Sequence, residues 1–261
     1  MALYAYPVVG RTGLGNMLIT WARAVVFAKE NNARLIAPAW TNFFRLGPIL
    51  RMEKDKRLYM GQFTNSEYIT GFRRLVYLAC HKRIKERDYN GQSNGVVYFA
   101  GHEEGMRLVQ QYRDVIAREL YRISNPIYQK SLAALPERFV GVHVRIGDFS
   151  KVGFALDNDF YIRAIQIAIE RMGGDVPVLV FSDARQEQLK YLTDRFPSLR
   201  IMPNAPALQD MLTLSKSSIL VGTNRSTFSA WAAVLGGMQS LWDKNGNPPD
   251  TFLGLKDFEL V

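Results

Sequence analysis

The sequence predicts an α/β fold built on parallel sheets, and three observations carry that prediction. Short apolar runs alternate with stretches of helical periodicity through the second half of the chain, the connections between them are short, and the first forty residues open with the same strand–loop–helix–strand order. With 261 residues and 48% hydrophobic content there is material for one large domain or two of ordinary size.

Taken in order, Leu3 to Val9 reads as a strand, Gly10-Arg-Thr-Gly-Leu-Gly15 as a loop and Asn16 as a helix cap. Leu18, Trp21, Val25 and Ala28 then mark one helical face, and Leu35 to Ala37 forms a second strand before Pro38. From Trp40 to about Asn94 the pattern loosens into aromatic and basic residues. Within it Arg73, Arg74, Lys82, Arg83, Lys85 and Arg87 surround the apolar stretch Leu75 to Cys80. Such a basic amphipathic segment either rests on anionic lipid headgroups or is an ordinary solvated helix face, and a single aromatic, Tyr77, favours the ordinary one. Glu103 to Tyr121 again reads as helix, and Ser124-Asn-Pro126 marks a boundary between residues 1–125 and 126–261.

The second half is more regular. Strands are expected at Phe139 to Val144, Pro177 to Phe181, Leu199 to Met202, Ser218 to Gly222 and Gln239 to Trp242. Helices are expected at Phe160 to Met172, with Ile162, Ile165, Ile169 and Met172 facing inward, at Ala184 to Phe196, at Leu208 to Ser215, and from Ser226 through Leu235. This alternation implies a parallel sheet wound with helices on both faces.

The formal net charge of +9 favours an anionic ligand, an anionic membrane or nucleic acid, but no nucleic-acid-binding motif is present and no such partner is expected. The single cysteine, Cys80, excludes an intrachain disulfide, and His81, His102 and His143 lack metal-ligand spacing, so no structural metal is expected. Without a basic leader or an apolar run of spanning length, the chain reads as a cytoplasmic, bacterial protein.

Four loops at predicted strand ends carry the candidate chemistry. The first, Gly10-x-x-Gly13-x-Gly15, matches neither the dinucleotide fingerprint nor a Gly-Lys-Ser/Thr phosphate loop, which disfavours a dehydrogenase or an ATPase. Its glycines still let backbone amides approach a ligand at a helix start. The second is Val140-Gly-Val-His-Val-Arg-Ile-Gly-Asp148. Arg145 at the mouth of a buried strand can grip a diphosphate bidentately, or it can simply pair with Asp148. His143 either orients a nucleotide or shapes the strand end. The third loop, Phe181-Ser182-Asp183, binds ligand or caps the next helix. In the fourth, Gly222 to Ser229, Ser226 and Thr227 offer hydroxyls and amides at a helix start, with Asn224 and Phe228 alongside. Four such loops in one chain favour a shared nucleotide site.

Gly13-Leu-Gly-Asn16, His143-Val-Arg-Ile-Gly-Asp148, Phe181-Ser-Asp183 and Ser226-Thr-Phe-Ser229 before Ala230-Trp231 resemble, in order and spacing, the motifs of the GDP-fucose-dependent fucosyltransferases. The likeness runs from about Pro7 to Gly236 and is weak in the middle. In length and layout it is nearest the α-1,2 enzymes. The resemblance implies a GT-B-type glycosyltransferase with two facing Rossmann-like domains: an N-terminal acceptor side shaped partly by residues 40–94, and a C-terminal half that binds the GDP-sugar. It implies inversion at the sugar carbon and neither metal nor cofactor beyond GDP-fucose as donor. It assigns Arg145 to the diphosphate and Asp210 to guanine.

One departure stands out. The α-1,2 and α-1,6 enzymes carry a second arginine where this chain has Ile146, and His-x-Arg-Ile-Gly is similar instead to protein O-fucosyltransferases, as are Gly10-Arg11, Phe27-Ala-Lys29 and Pro38-Ala-Trp40. Under this reading an acceptor hydroxyl of a glycan or lipid-linked oligosaccharide attacks C1 of fucose. Arg145 then stabilises departing GDP with help from Ser226, Thr227 and Asn16, and Gly13, Gly15, His143, Ser182, Asp183, Asn224 and Phe228 complete the nucleotide site. The base is left open between Asp148 and the acids of the loop 157–159. A silent nucleotide-sugar or nucleic-acid binder is the alternative, and peripheral contact with an anionic membrane through 73–87 stays open.

Overall fold

The computed structural model describes residues 2–10, 12–40, 59–101, 105–146, 158–246, 255 and 258–261. They form two compact units, the first ending at Asn125 and the second beginning at Pro126. The first comprises β1 (Leu3–Pro7), α1 (Leu14–Glu30), β2 (Arg34–Leu35), α2 (Gly71–Cys80), β3 (Arg83–Lys85), β4 (Gly95–Phe99), α3 (Gly105–Gln111) and α4 (Arg113–Ile123). Its parallel sheet has the order β2-β1-β4-β3, which places β1 and β4 at its centre.

Helix α1 begins earlier than the sequence predicts. Gly13, with φ −67° and ψ 164°, is its cap residue, and Asn16 lies inside the first turn. The early start sinks Leu14 and Met17 into the core along with Leu18 and Trp21. The helix is buried almost all round rather than on one face. The helix expected from Glu103 is interrupted at Tyr112, which caps α4. Strands β3 and β4 lie in and just beyond the stretch that showed no period.

The second unit comprises α5 (Ile127–Ala133), β5 (Val140–Val144), α6 (Asn158–Arg171), β6 (Val178–Ser182), α7 (Lys190–Thr193), β7 (Leu199–Ile201), α8 (Ala207–Leu214), β8 (Ile219–Val221), α9 (Thr227–Gly236), β9 (Gln239–Trp242) and β10 (Glu259–Leu260). All its strands are parallel, in the order β10-β9-β8-β5-β6-β7. Counted from β5 this is 3-2-1-4-5-6, the Rossmann order, whose switch point falls between β5 and β8.

Strand β5 is buried throughout, and its two faces differ. Val140, Val142 and Val144 join a core with Phe160, Ile165 and Ala168 of α6. Gly141 and His143 face α8 and α9, where a Cβ on Gly141 would come within 2.8 Å of Ser217. The inward stripe of α6 is Phe160, Tyr161, Ala164, Ile165 and Ala168, while the predicted Ile162 and Ile169 are only partly buried. Small alanines let the helix approach the sheet, and the larger isoleucines are left to the flank. The long helix expected from Ala184 is a 3-10 turn at Gln186–Leu189 followed by one turn of α7. Leu189, Leu192 and Phe196 nonetheless reach the core.

Candidate functional site

At the β5/β8 switch point the two strand ends are joined through one hydroxyl. Thr223, fully buried just after β8, donates its Oγ1–H to the His143 carbonyl at 2.7 Å. That uses its only proton. Its two lone pairs therefore accept the Arg145 N–H at 3.3 Å and the Tyr161 hydroxyl at 2.9 Å. The Thr223 N–H donates to Ser229 Oγ at 3.1 Å, and the same Oγ meets His143 Nδ1 at 2.7 Å. Phe228 stacks on the imidazole with centroids 4.9 Å apart. Backbone and side chain of β5 are thus fixed immediately before Arg145, which is half-buried at the strand mouth.

The β6 loop holds the same exit from the other side. Ser182 Oγ donates to the Val144 carbonyl at 2.7 Å and accepts the Ala184 N–H at 3.0 Å. Asp183 Oδ1 accepts the Ile146 N–H at 2.9 Å. Asn224 is buried and exchanges hydrogen bonds with the backbone of Asp243, at 2.8 and 3.1 Å. It pins the β8–α9 loop to the end of β9. Arg225 holds this loop's bend at φ 60°, a left-handed conformation uncommon for a residue with a side chain. Ser226 is the N-cap of α9, its Oγ accepting the Ser229 N–H at 3.3 Å. The amides of Thr227 and Phe228, first in the helix, have no carbonyl one turn back to meet, as at any helix start.

Burial, and then the positive charge of Arg145, push the His143 pKa down to about 3, so the imidazole is neutral at physiological pH. Burial pushes the Tyr161 phenol well above its ordinary value, and it stays protonated as the donor to Thr223.

The second unit therefore brings His143, Arg145, Ser182, Asp183, Asn224, Ser226, Thr227 and Phe228 to adjacent strand ends. Asp210 is half-buried in the first turn of α8, where a carboxylate also suits the helix dipole. Gly13, Gly15 and Asn16 belong to the first unit, at the mouth of β1; Asn16 Oδ1 is buried there without a hydrogen-bond partner. Asp148, Asp157 and His102 lie outside the described residues. Among the described residues no three His, Cys, Asp or Glu side chains gather as metal ligands. Sequence reasoning missed Thr223, Tyr161 and Ser229. Thr223 and Ser229 stand within quoted motifs, but a hydroxyl in a loop reads as a cap, and nothing linear ties Tyr161 to a residue 62 positions away.

The first unit contains a cavity of about 310 Å³ lined by Trp40, Tyr59, Phe63, Asn65 and Arg74, among others. Trp40 stacks on Phe63 at 3.9 Å and donates its indole N–H to Asn65 Oδ1 at 3.1 Å. Arg74 reaches it from α2, with its Nε buried and unpartnered.

No family model and no curated protein matches the sequence. Solved structures match in fold. NodZ fucosyltransferase from Bradyrhizobium superposes with a TM-score of 0.60 at 17% identity, over 90% of this chain and 93% of that one. NodZ α-1,6-fucosyltransferase soaked with GDP-fucose gives 0.60 at 18% identity, over 90% and 93%. POFUT1 without ligand gives 0.56 at 13% identity, over 92% and 97%. At these identities the likeness is one of fold, and it extends through both units: the chain has the GT-B-type α/β architecture, with a parallel sheet in each unit.

Proposed function

We propose that this protein is a GDP-fucose-dependent fucosyltransferase whose donor site lies in the second unit and whose first unit serves the acceptor. The observation that carries this reading is the β5/β8 switch point. There Arg145 leaves a strand end clamped from both neighbours, beside the N-terminal amides of α9, a place suited to a diphosphate. NodZ, of like fold, has been soaked with GDP-fucose, and the motif order of this chain points to the same donor.

In this reading an acceptor hydroxyl attacks C1 of fucose, the C1–O bond to the diphosphate breaks, and configuration inverts. Arg145 and the amides of Thr227 and Phe228 stabilise the charge that gathers on the leaving GDP, without help from a metal. The Ser226 hydroxyl is occupied in capping, so its part is to hold those amides in place. Ser182, Asp183, Thr223 and Asn224 fix the loops, and neutral His143 offers a ring of set orientation. Asp210 accepts from guanine N1–H and the exocyclic amine, a pairing adenine cannot offer. The acceptor is a glycan or lipid-linked oligosaccharide, with the aromatic-lined cavity as a place for a sugar ring and the α-1,2 linkage favoured by length and layout. Transfer to protein is the second reading, supported by Ile146 in place of a second arginine.

Calorimetric titration of GDP and ADP into wild type and Asp210→Ala, with release of GDP from GDP-fucose measured in parallel, tests the proposal. We expect Asp210→Ala to weaken GDP binding about tenfold to a hundredfold and to narrow its advantage over ADP. An unchanged GDP-to-ADP ratio assigns Asp210 to the helix dipole alone. A wild-type protein that binds neither GDP nor GDP-fucose overturns the function.

A further inference from the structure

Helix α2 has an apolar stripe on its outer side as well as its inner one. Its inner side carries Arg74, Tyr77 and Leu78. Tyr77 packs edge-on against Tyr4 at 4.9 Å, Leu78 joins the small core of Tyr4, Ile36, Ile69 and Val96, and Arg74 Nη1 donates to the Ala37 carbonyl at 3.5 Å. Its outer side carries Phe72, Leu75 and Val76, the second, fifth and sixth residues of the helix, which are 79%, 59% and 38% exposed. No residue of the helix is fully buried. A helix that sends a tyrosine and an arginine inward and a Phe-Leu-Val stripe outward leaves apolar area in water that burial would favour by about 25 cal/mol per Å². Such faces mark interaction sites.

The charge around the stripe says what covers it. Residues 71–88 contain six basic and two acidic side chains, and Glu86 is committed to the buried Arg23. Arg73, Lys82, Arg83, Lys85 and Arg87 are all exposed. A second copy of this chain docked about a two-fold axis would set this positive cluster against itself. An anionic lipid surface satisfies both halves, with headgroups meeting the basic residues and the apolar stripe entering the acyl boundary.

We propose that α2, with the basic segment after it, is a peripheral docking surface for anionic membranes. This goes beyond the transferase reading and does not rest on it. It suits an acceptor carried on a lipid, since Arg74 of the same helix lines the aromatic cavity on the inner side.

The test is co-sedimentation of the full chain with vesicles of phosphatidylcholine alone or mixed equally with phosphatidylglycerol, in low and high salt. We expect partition into the anionic vesicles only, weakened by salt. Leu75→Glu should reduce it by about tenfold or more, and Lys82→Glu with Lys85→Glu by about fivefold for each charge removed. These positions are exposed, so thermal midpoint and GDP titration should match wild type, which separates failure of docking from failure of the donor site. Equal binding to both vesicles, no binding to either, or an unchanged Leu75→Glu partition overturns the proposal. So does a dimer that Leu75→Glu dissolves in a protein that ignores vesicles, which would identify a second copy as the cover.

Discussion

Thr223 shows how much a single oxygen can organise. Its Oγ1 is bonded to two backbone groups at the end of β5 and to a phenol on α6, so removing it takes one hydrogen bond from each of three groups at once. Thr223→Val should therefore destabilise the protein by about 3 kcal/mol, roughly 1 kcal/mol for each of three hydrogen bonds lost, and weaken GDP binding by releasing the backbone at Arg145. Thr223→Ser keeps the oxygen and should lose only about 1 kcal/mol. Urea denaturation of the two variants with parallel GDP titration checks this, and a loss confined to Thr223→Ser, with Thr223→Val near wild type, would mean that the methyl group, not the hydroxyl, matters. At Arg145 the proposed role makes a sharper demand. A lysine preserves charge but not the planar fork, so Arg145→Lys should cut transfer by about a hundredfold, or about 3 kcal/mol of transition-state stabilisation, while the fold is retained. Near-normal turnover would remove Arg145 from the reaction. Arg145 was legible because a guanidinium at the end of an all-apolar strand is conspicuous. Its support was not, because Thr223, Ser229 and Tyr161 lie 62 to 86 positions from their partners.

Elements were legible where one pattern decided them. Strand β9 spans Gln239–Trp242 as expected, and α9 starts at Ser226–Thr227 as expected, although the Ser226 hydroxyl assigned to the anion site is spent on capping the helix. The stripe of α6 was misjudged because periodicity counts bulk, whereas a helix against a sheet selects residues small enough for close approach. The stretch from Ala184 contained apolar residues at three- and four-residue spacing but too little regular hydrogen bonding for one helix. The same sensitivity to close approach gives a prediction at Gly222, between β8 and the site loop. A Cβ there would lie 2.8–2.9 Å from the buried Trp242 ring, which has nowhere to retreat. Gly222→Ala should cost about 1–3 kcal/mol and loosen the loop that follows it. A urea midpoint equal to wild type would show that the indole can move. Strand β10 escaped notice because two residues at an edge leave almost no periodic signal.

At the scale of the whole molecule, the proposed chemistry draws its positive charge from Arg145 and helix amides. Transfer should therefore survive excess EDTA, measured as GDP release with acceptor present. Loss of activity restored by Mg²⁺ or Mn²⁺ would place the enzyme with those that bridge the diphosphate by a metal. No helix among the described residues is long and apolar enough to cross a membrane. By itself the sequence determined the α/β class, most strands of the second sheet and the loops at their ends, because these follow from local periodicity and from turn residues in the chain. Only the tertiary structure decided the strand order, and with it the meeting of β5 with β8 that joins Thr223 and Ser229 to His143 and Arg145. It also decided which side of α2 faces outward. Strand order and helix orientation depend on contacts between distant segments, and a one-dimensional pattern records a residue's apolarity but not the surface it meets.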